Sequence, residues 1–308
     1  VSRKFSDYVL KPEGRHQVEV YLITLFYLTV LTWAVMHGLS YYRLPLDQRP
    51  YHPLNRELRS SGPIGIRLGL LGLASFGLIF LYAVRKRFRP LARVGKTKHW
   101  LDVHVVLGIS APALITFHSC FKMRGLAGTS YWIMIAVMMS GFIGRYLYAQ
   151  IPRRINAAEL NLQEMASMTN ELTSQLQMQS LVSVDELKPL LAVPDKASVE
   201  AMPVVAALVL MFVCDLKRPF LVARVRRRAL TAGGKIRTFG GLLPSPERRL
   251  ERVIDLARQR SWIATKISFL AKTHQVFHLW HVVHRPFSYS FAILVCVHVG
   301  VAVSMGYF

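Results

Sequence analysis

The sequence predicts an all-α membrane protein, a polytopic bundle of about five transmembrane helices with a largely helical cytoplasmic insert. Three observations carry this. The apolar residues that make up 52% of the 308-residue chain gather in blocks of about 20, the length a helix needs to cross roughly 30 Å of hydrocarbon. The basic residues behind a net charge of +22 cluster beside those blocks. Headgroups and topology account for them there better than nucleic acid, which is not expected as a partner. Histidines also stand inside two of the blocks at matched spacing, where an imidazole is costly unless something uses it.

The apolar blocks cover 18–42, 63–84, 100–121, 131–151 and 286–307. The second holds Gly65, Gly69, Gly72 and Gly77, a composition that suits close helix packing in lipid. Three parts follow: 1–152 as a four-helix transmembrane part, 153–283 as the insert, and 284–308 as a last transmembrane helix packing on the first part. Within the insert, 156–180 reads as an amphipathic helix with Leu160, Leu162, Met165, Met168 and Leu172 on one face, interrupted afterwards by Pro189 and Pro194. The run 202–216 is strongly apolar but only about 15 residues long, which favours a buried or membrane-surface helix over a span. A further helical run extends from Pro246 towards His284.

Positive charge orients the spans. Arg85, Lys86, Arg87, Arg89, Arg93, Lys96 and Lys98 crowd the connection between the second and third blocks, and Arg153 and Arg154 follow the fourth. Only Lys122 and Arg124 lie between the third and fourth. The expectation is a bacterial cytoplasmic membrane protein with N-terminus and insert inside and C-terminus in the periplasm. The residues from Val1 show no cleavable signal pattern.

Cys120, Cys214 and Cys296 are far apart and no Cys-x-x-Cys-His occurs, which argues against covalent haem attachment and a cysteine-held iron–sulfur cluster. All three read as small apolar residues in helices. Histidines carry the chemistry instead. His104 and His118 in the third block are 14 residues apart, and so are His284 and His298 at the fifth. At 100° and 1.5 Å per residue each pair lies near one helix face, about 21 Å apart along the axis, which leaves room for one haem in each leaflet. A bare metal ion is disfavoured, since acidic residues are almost absent from these helices and ligands a leaflet apart cannot share an ion.

If the insert does not cross, the two histidine helices run parallel and His104 pairs with His284, His118 with His298. A span at 202–216 would pair His104 with His298. Gly108, Gly141 and Gly144 offer space for a flat macrocycle. Lys98, His99, Arg285 and Arg145 are candidates for propionate contacts, with snorkelling to headgroups an equal role for Arg145. His274, His278 and His281 form a stripe with His284 that reads as a polar face at the membrane edge, the alternative being a proton relay or quinone border. His37 is a candidate for a quinone or a further haem, and His16 and His52 read as loop or interfacial residues.

At these four histidines the chain resembles the ferric-reductase-like transmembrane domain shared with the NADPH oxidases, over roughly the second to fifth blocks. The resemblance implies two haem b groups with His104, His118, His284 and His298 as axial ligands. Members of that family usually continue into a flavin and nicotinamide domain, whereas no Gly-x-Gly-x-x-Gly fingerprint occurs here and the insert is longer than a typical loop. The phrase from Trp280 to Pro286 resembles bacterial cytochrome b subunits that accompany separate redox proteins. The expectation is therefore an electron-carrying subunit of a larger complex, with a cytochrome c, iron–sulfur or flavin protein as partner, besides lipid. The alternatives are a quinone-reactive cytochrome b and a haem-free membrane anchor.

Overall fold

The computed structural model describes residues 12–85, 87–150, 162–178, 182–230 and 232–307. Its longer helices are α1 (Pro12–Tyr42), α2 (Pro63–Arg85), α3 (Thr97–His118), α4 (Gly125–Gln150), α5 (Leu162–Gln177), α6 (Val184–Leu191), α7 (Val204–Ala229) and α8 (Arg248–Ser304). Five of these regions, α1 to α4 and α8, are long and apolar enough to cross a membrane. The protein is an all-α, multi-pass membrane protein. In α8 no charged residue follows Arg285, so the apolar crossing is its last part, from about Pro286.

Apolar residues on these helices are not hidden as in a soluble core. Tyr21, Leu22, Leu25, Phe26 and Met36 of α1 are exposed, the surface expected of a helix whose outward solvent is lipid. The chain forms two compact units, Val1–Arg145 with Val282–Phe308, and Tyr146–His281. The expected boundaries, after 152 and after 283, lie a few residues further along, because α4 and α8 each contribute to both units.

In the first unit, Tyr27, Ala34, Leu68, Leu107 and Leu114 form the core of α1, α2 and α3. Phe76, Ala111, Tyr131, Met134 and Phe291 join α2, α3, α4 and α8. The Tyr27 and Ser75 hydroxyls hydrogen-bond at 2.5 Å, so neither is left unsatisfied in apolar surroundings. Helix ends leave carbonyls without intrahelical donors, and buried Arg49 supplies them. Its guanidinium donates to the carbonyls of Tyr42 at 2.9 Å, Leu44 at 3.0 Å and Cys120 at 2.5 Å, fastening the end of α1 to the end of α3. There the chain leaves the helix through left-handed backbone at Cys120 and Phe121, three residues earlier than the apolar pattern suggests.

The second unit has two cores. One comprises Leu176, Val182, Leu187, Leu190, Val222, Val225, Leu250, Val253 and Ile254. The other holds Leu147, Val199, Ala207, Met211, Phe269 and Val276. The amphipathic helix is present as α5; 156–161, 179 and 180 lie outside the described residues. Pro189 does not interrupt a helix but sits inside α6, at the cost of one main-chain hydrogen bond. Pro194 does lie in a non-helical connection. The apolar run from 202 is the start of the 26-residue α7, and it is not among the helices apolar enough to cross a membrane.

Arg226 on α7 is buried and makes a two-pronged pair with Glu251, Nε to Oε1 at 2.6 Å and Nη2 to Oε2 at 2.8 Å. Burial pushes the Glu251 carboxyl up, but the hydrogen bonds from Arg226 and the Ser245 amide, with the Arg226 charge, outweigh it and hold the group below its usual range. Lys266 is buried beside the Trp262 ring, its Nζ 3.6 Å from the ring centroid and donating to the Ala149 carbonyl at 2.7 Å. Desolvation pulls its ammonium down to about 8, with Asp215 opposing the shift and Arg218 adding to it.

Candidate functional site

The site is built on the packing of α2 against α3, the most extensive helix contact among the described residues. Glycines make the approach possible. A methyl at Gly69 would lie 2.7 Å from the His118 ring, and one at Gly72 2.6 Å from Ile115, distances side-chain carbons do not tolerate. The His118 imidazole therefore rests on bare backbone of α2. One turn earlier, the Gly65 carbonyl lies 2.8 Å from His118 Nδ1. A carbonyl only accepts, so Nδ1 carries a proton, and in the neutral ring the lone pair is then at Nε2.

The same sense recurs elsewhere. His104 Nδ1 lies 3.4 Å from the Ile79 carbonyl, a longer contact, with the ring against Tyr82. His284 Nδ1 is 2.7 Å from Ser140 Oγ. Because the Ser140 hydroxyl donates to the Val137 carbonyl at 2.8 Å, it accepts from the imidazole, which again leaves the lone pair at Nε2. This is the arrangement in which a histidine is held by one nitrogen to offer the other to a metal. His298 is exposed, and among the described residues its ring makes no hydrogen bond.

His118 and His298 face a common cavity of about 490 Å³, within the range that cofactor pockets occupy. Its walls are apolar and aromatic, with Gly69 and Phe76 from α2, Tyr131 and Met134 from α4, and Phe291 from α8. Ser60, Ser61, Lys122 and Arg124 also line it. In front of Gly108 on α3 and Gly141 on α4, the latter next to Ser140, nothing stands within 4 Å of where a Cβ would be. Both glycines are half-buried, so each faces open space. Gly144 is buried.

The expected propionate contacts fare differently. Lys98 and Arg285 are exposed and His99 is half-buried. Arg145 is engaged with Asp102, Nη2 to Oδ1 at 3.1 Å, so snorkelling alone does not describe it. His16 is the clearest departure from the sequence reading. It is buried on α1 rather than in a loop, stacked on His99 with centroids 3.7 Å apart, and its Nε2 lies 3.4 Å from Asp102 Oδ2. His52 does lie outside the helices, its Nδ1 accepting from the Leu54 amide at 3.2 Å.

His37 stacks on Trp33 and its Nε2 is 3.8 Å from Glu57. His274 and His278 are exposed. His281 donates from Nδ1 to the Phe277 carbonyl of its own helix at 2.9 Å. Among the described residues, no group of three or more His, Cys, Asp or Glu side chains is placed to hold a metal ion.

Sequence reasoning missed four contributors: Ser140, Gly69 as the floor under His118, and Lys122 and Arg124 at the cavity. Asp102 carried a readable signal, being the one acid in α3. No family model matches the chain, and no curated protein or solved structure is similar to it.

Proposed function

We propose that the chain is a membrane di-haem cytochrome b subunit that carries electrons across a bacterial cytoplasmic membrane between redox partners of a larger complex. One observation carries the reading: His118 and His298, chosen by spacing, line one cavity of about 490 Å³, and His118 is anchored through Nδ1. The residues fit a haem. Two imidazoles come from two helices, the glycine floor lets the His118 ring lie against α2, and the cavity walls are largely apolar. A bis-histidine haem, when bound, supplies a one-electron carrier whose potential answers to ligand basicity, burial and nearby charge.

The chain's own residues do the rest. His118 and His298 would hold one group through ring nitrogens, and His104 and His284 would hold the other. Gly65, Ile79 and Ser140 fix ring orientation. Phe76, Tyr131, Met134 and Phe291 give the cavity its apolar walls, and Lys122 and Arg124 would place positive charge beside the carboxylates of a bound group. Separate subunits, a cytochrome c, iron–sulfur or flavin protein, would donate and accept the electrons.

The test is a pyridine haemochrome assay on the purified full chain, with a low-temperature electron paramagnetic resonance spectrum. Two haem b per chain with bis-histidine signals are expected. A preparation folded in detergent yet without b-type absorbance would overturn the proposal and leave a membrane anchor.

A further inference from the structure

Helix α7 turns one face to the unit core and leaves most of the opposite face exposed, where the Phe212 ring touches Tyr146. Ala207, Met211, Val222 and Val225 are buried, and at 100° per residue they fall within one sector of the helix. The opposite sector carries Val205, Val209, Phe212, Leu216 and Phe220, spaced 4, 3, 4 and 4 residues apart. These five are 72%, 57%, 54%, 56% and 62% exposed. Such a continuous apolar stripe on a well-formed helix marks an interaction surface.

The stripe does not stop at the helix. Ala223 continues the same face, and there Gly241 packs so closely that a Cβ would lie 2.4 Å from the Ala223 carbonyl oxygen. Arg226 Nη1 also donates to the Gly241 carbonyl. Gly241 takes φ +90, a conformation that favours glycine. The loop clamped in this way presents Phe239 and Leu242, both largely exposed, at the end of the stripe.

Charge identifies the occupant. Exposed Lys217, Arg224, Arg227 and Arg228 flank or end the stripe, and the one acid of α7, Asp215, is taken up by Tyr146, Gln150 and Arg218. A protein partner with its own apolar face would not require a purely cationic border. The headgroup region of an anionic bilayer meets both features, with acyl chains for the stripe and phosphates for the border. The chain also enters and leaves this unit through helices that carry the apolar crossings. We infer that α7 and the 236–243 loop form an interfacial docking surface for anionic lipid, lying on the bilayer and not crossing it. This inference does not rest on the haem reading.

The experiment uses the full chain with Cys214→Ser and Cys296→Ser, reconstituted in nanodiscs of phosphatidylcholine with or without phosphatidylglycerol. Single spin labels are attached at Val205→Cys, Phe212→Cys, Phe220→Cys and Phe239→Cys, with Asp185→Cys as a water-exposed reference. Relaxation by oxygen should exceed that by a water-soluble nickel chelate several-fold at the four test sites. All four should report a similar shallow depth, and phosphatidylglycerol should deepen them. Combined Arg224→Glu, Arg227→Glu and Arg228→Glu should abolish the effect of anionic lipid. Free access of the nickel chelate overturns the inference, as does exclusion of both reagents, which would mean that protein covers the face. Depths running progressively to the bilayer centre from Val205 to Phe220 would mean a crossing helix and overturn it as well. An effect of phosphatidylglycerol that survives the charge reversals overturns the role given to the arginines.

Discussion

The His118 ring and Gly69 meet face to face: the imidazole occupies the space a Cβ would take, 2.7 Å from Nδ1. Gly69→Ala therefore has to displace the ring or part α2 from α3. Under the proposed function, haem per chain should fall from two towards one while the other group persists. The checks are a haemochrome titration against protein and a redox titration with one component missing.

Under the proposed function, His118 and His298 act as one pair because they line one cavity. His118→Ala and His298→Ala should each remove the same haem, and His104→Ala and His284→Ala the other, as read by optical redox titration. Loss of one common component from His104→Ala and His298→Ala would mean the helices pair the opposite way.

Lys122 and Arg124 line the cavity together with Ser60 and Ser61. Removing positive charge beside a carrier favours its oxidised form, so Lys122→Gln with Arg124→Gln should lower the midpoint potential of the His118–His298 group. The shift should be on the order of tens of millivolts, since 59 mV corresponds to a tenfold change for one electron, and the other group should stay in place. Spectroelectrochemistry reads both.

Arg226 is buried and Glu251 half-buried, so removing the arginine leaves a partly solvated carboxylate and costs less than the roughly 3–5 kcal/mol of a fully buried pair. Arg226→Met should destabilise the second unit and release the 236–243 loop, measurable as faster proteolysis there. The folded Glu251 carboxyl lies below its ordinary value. Its contribution is thus fully present above the unfolded carboxylate range and is lost as pH falls through the folded value. Arg226→Met should flatten that acid limb in thermal-shift measurements.

Lys266 is shifted in the same direction, but for an ammonium the shift is a cost near neutral pH. Its folded value of about 8 lies below the ordinary lysine value, so between these the unfolded chain binds more protons and stability rises with pH. Lys266→Met, which keeps the stem against Trp262, should remove the rise between about pH 8 and 10. Thermal unfolding across that range is the check.

What the sequence made legible follows the helix period. The apolar blocks became α1 to α4 and the last part of α8, because length and hydropathy are local properties. The 14-residue spacing of His104 and His118 is local too. What stayed hidden is contact across the chain. His16 and Asp102 are 86 positions apart, and nothing near His16 distinguishes a buried ring from an interfacial one. Lys122, Arg124, Ser60 and Ser61 line one cavity only because two loops converge. Gly69 read as a packing residue, and nothing in its neighbours said that a histidine ring would lie on it. In the same way, the exposed stripe of α7 follows from which side of an apolar run the core takes, which residue types alone do not decide.

The three anchored imidazoles are not equally open to change. His118 and His104 lean on the carbonyls of Gly65 and Ile79, groups that every amino acid carries, so no exchange of side chain takes those acceptors away. His284 leans on the hydroxyl of Ser140, and a single codon change to alanine deletes it. Heredity can therefore retune the His284 ring through position 140, while the His118 and His104 rings are held by main chain.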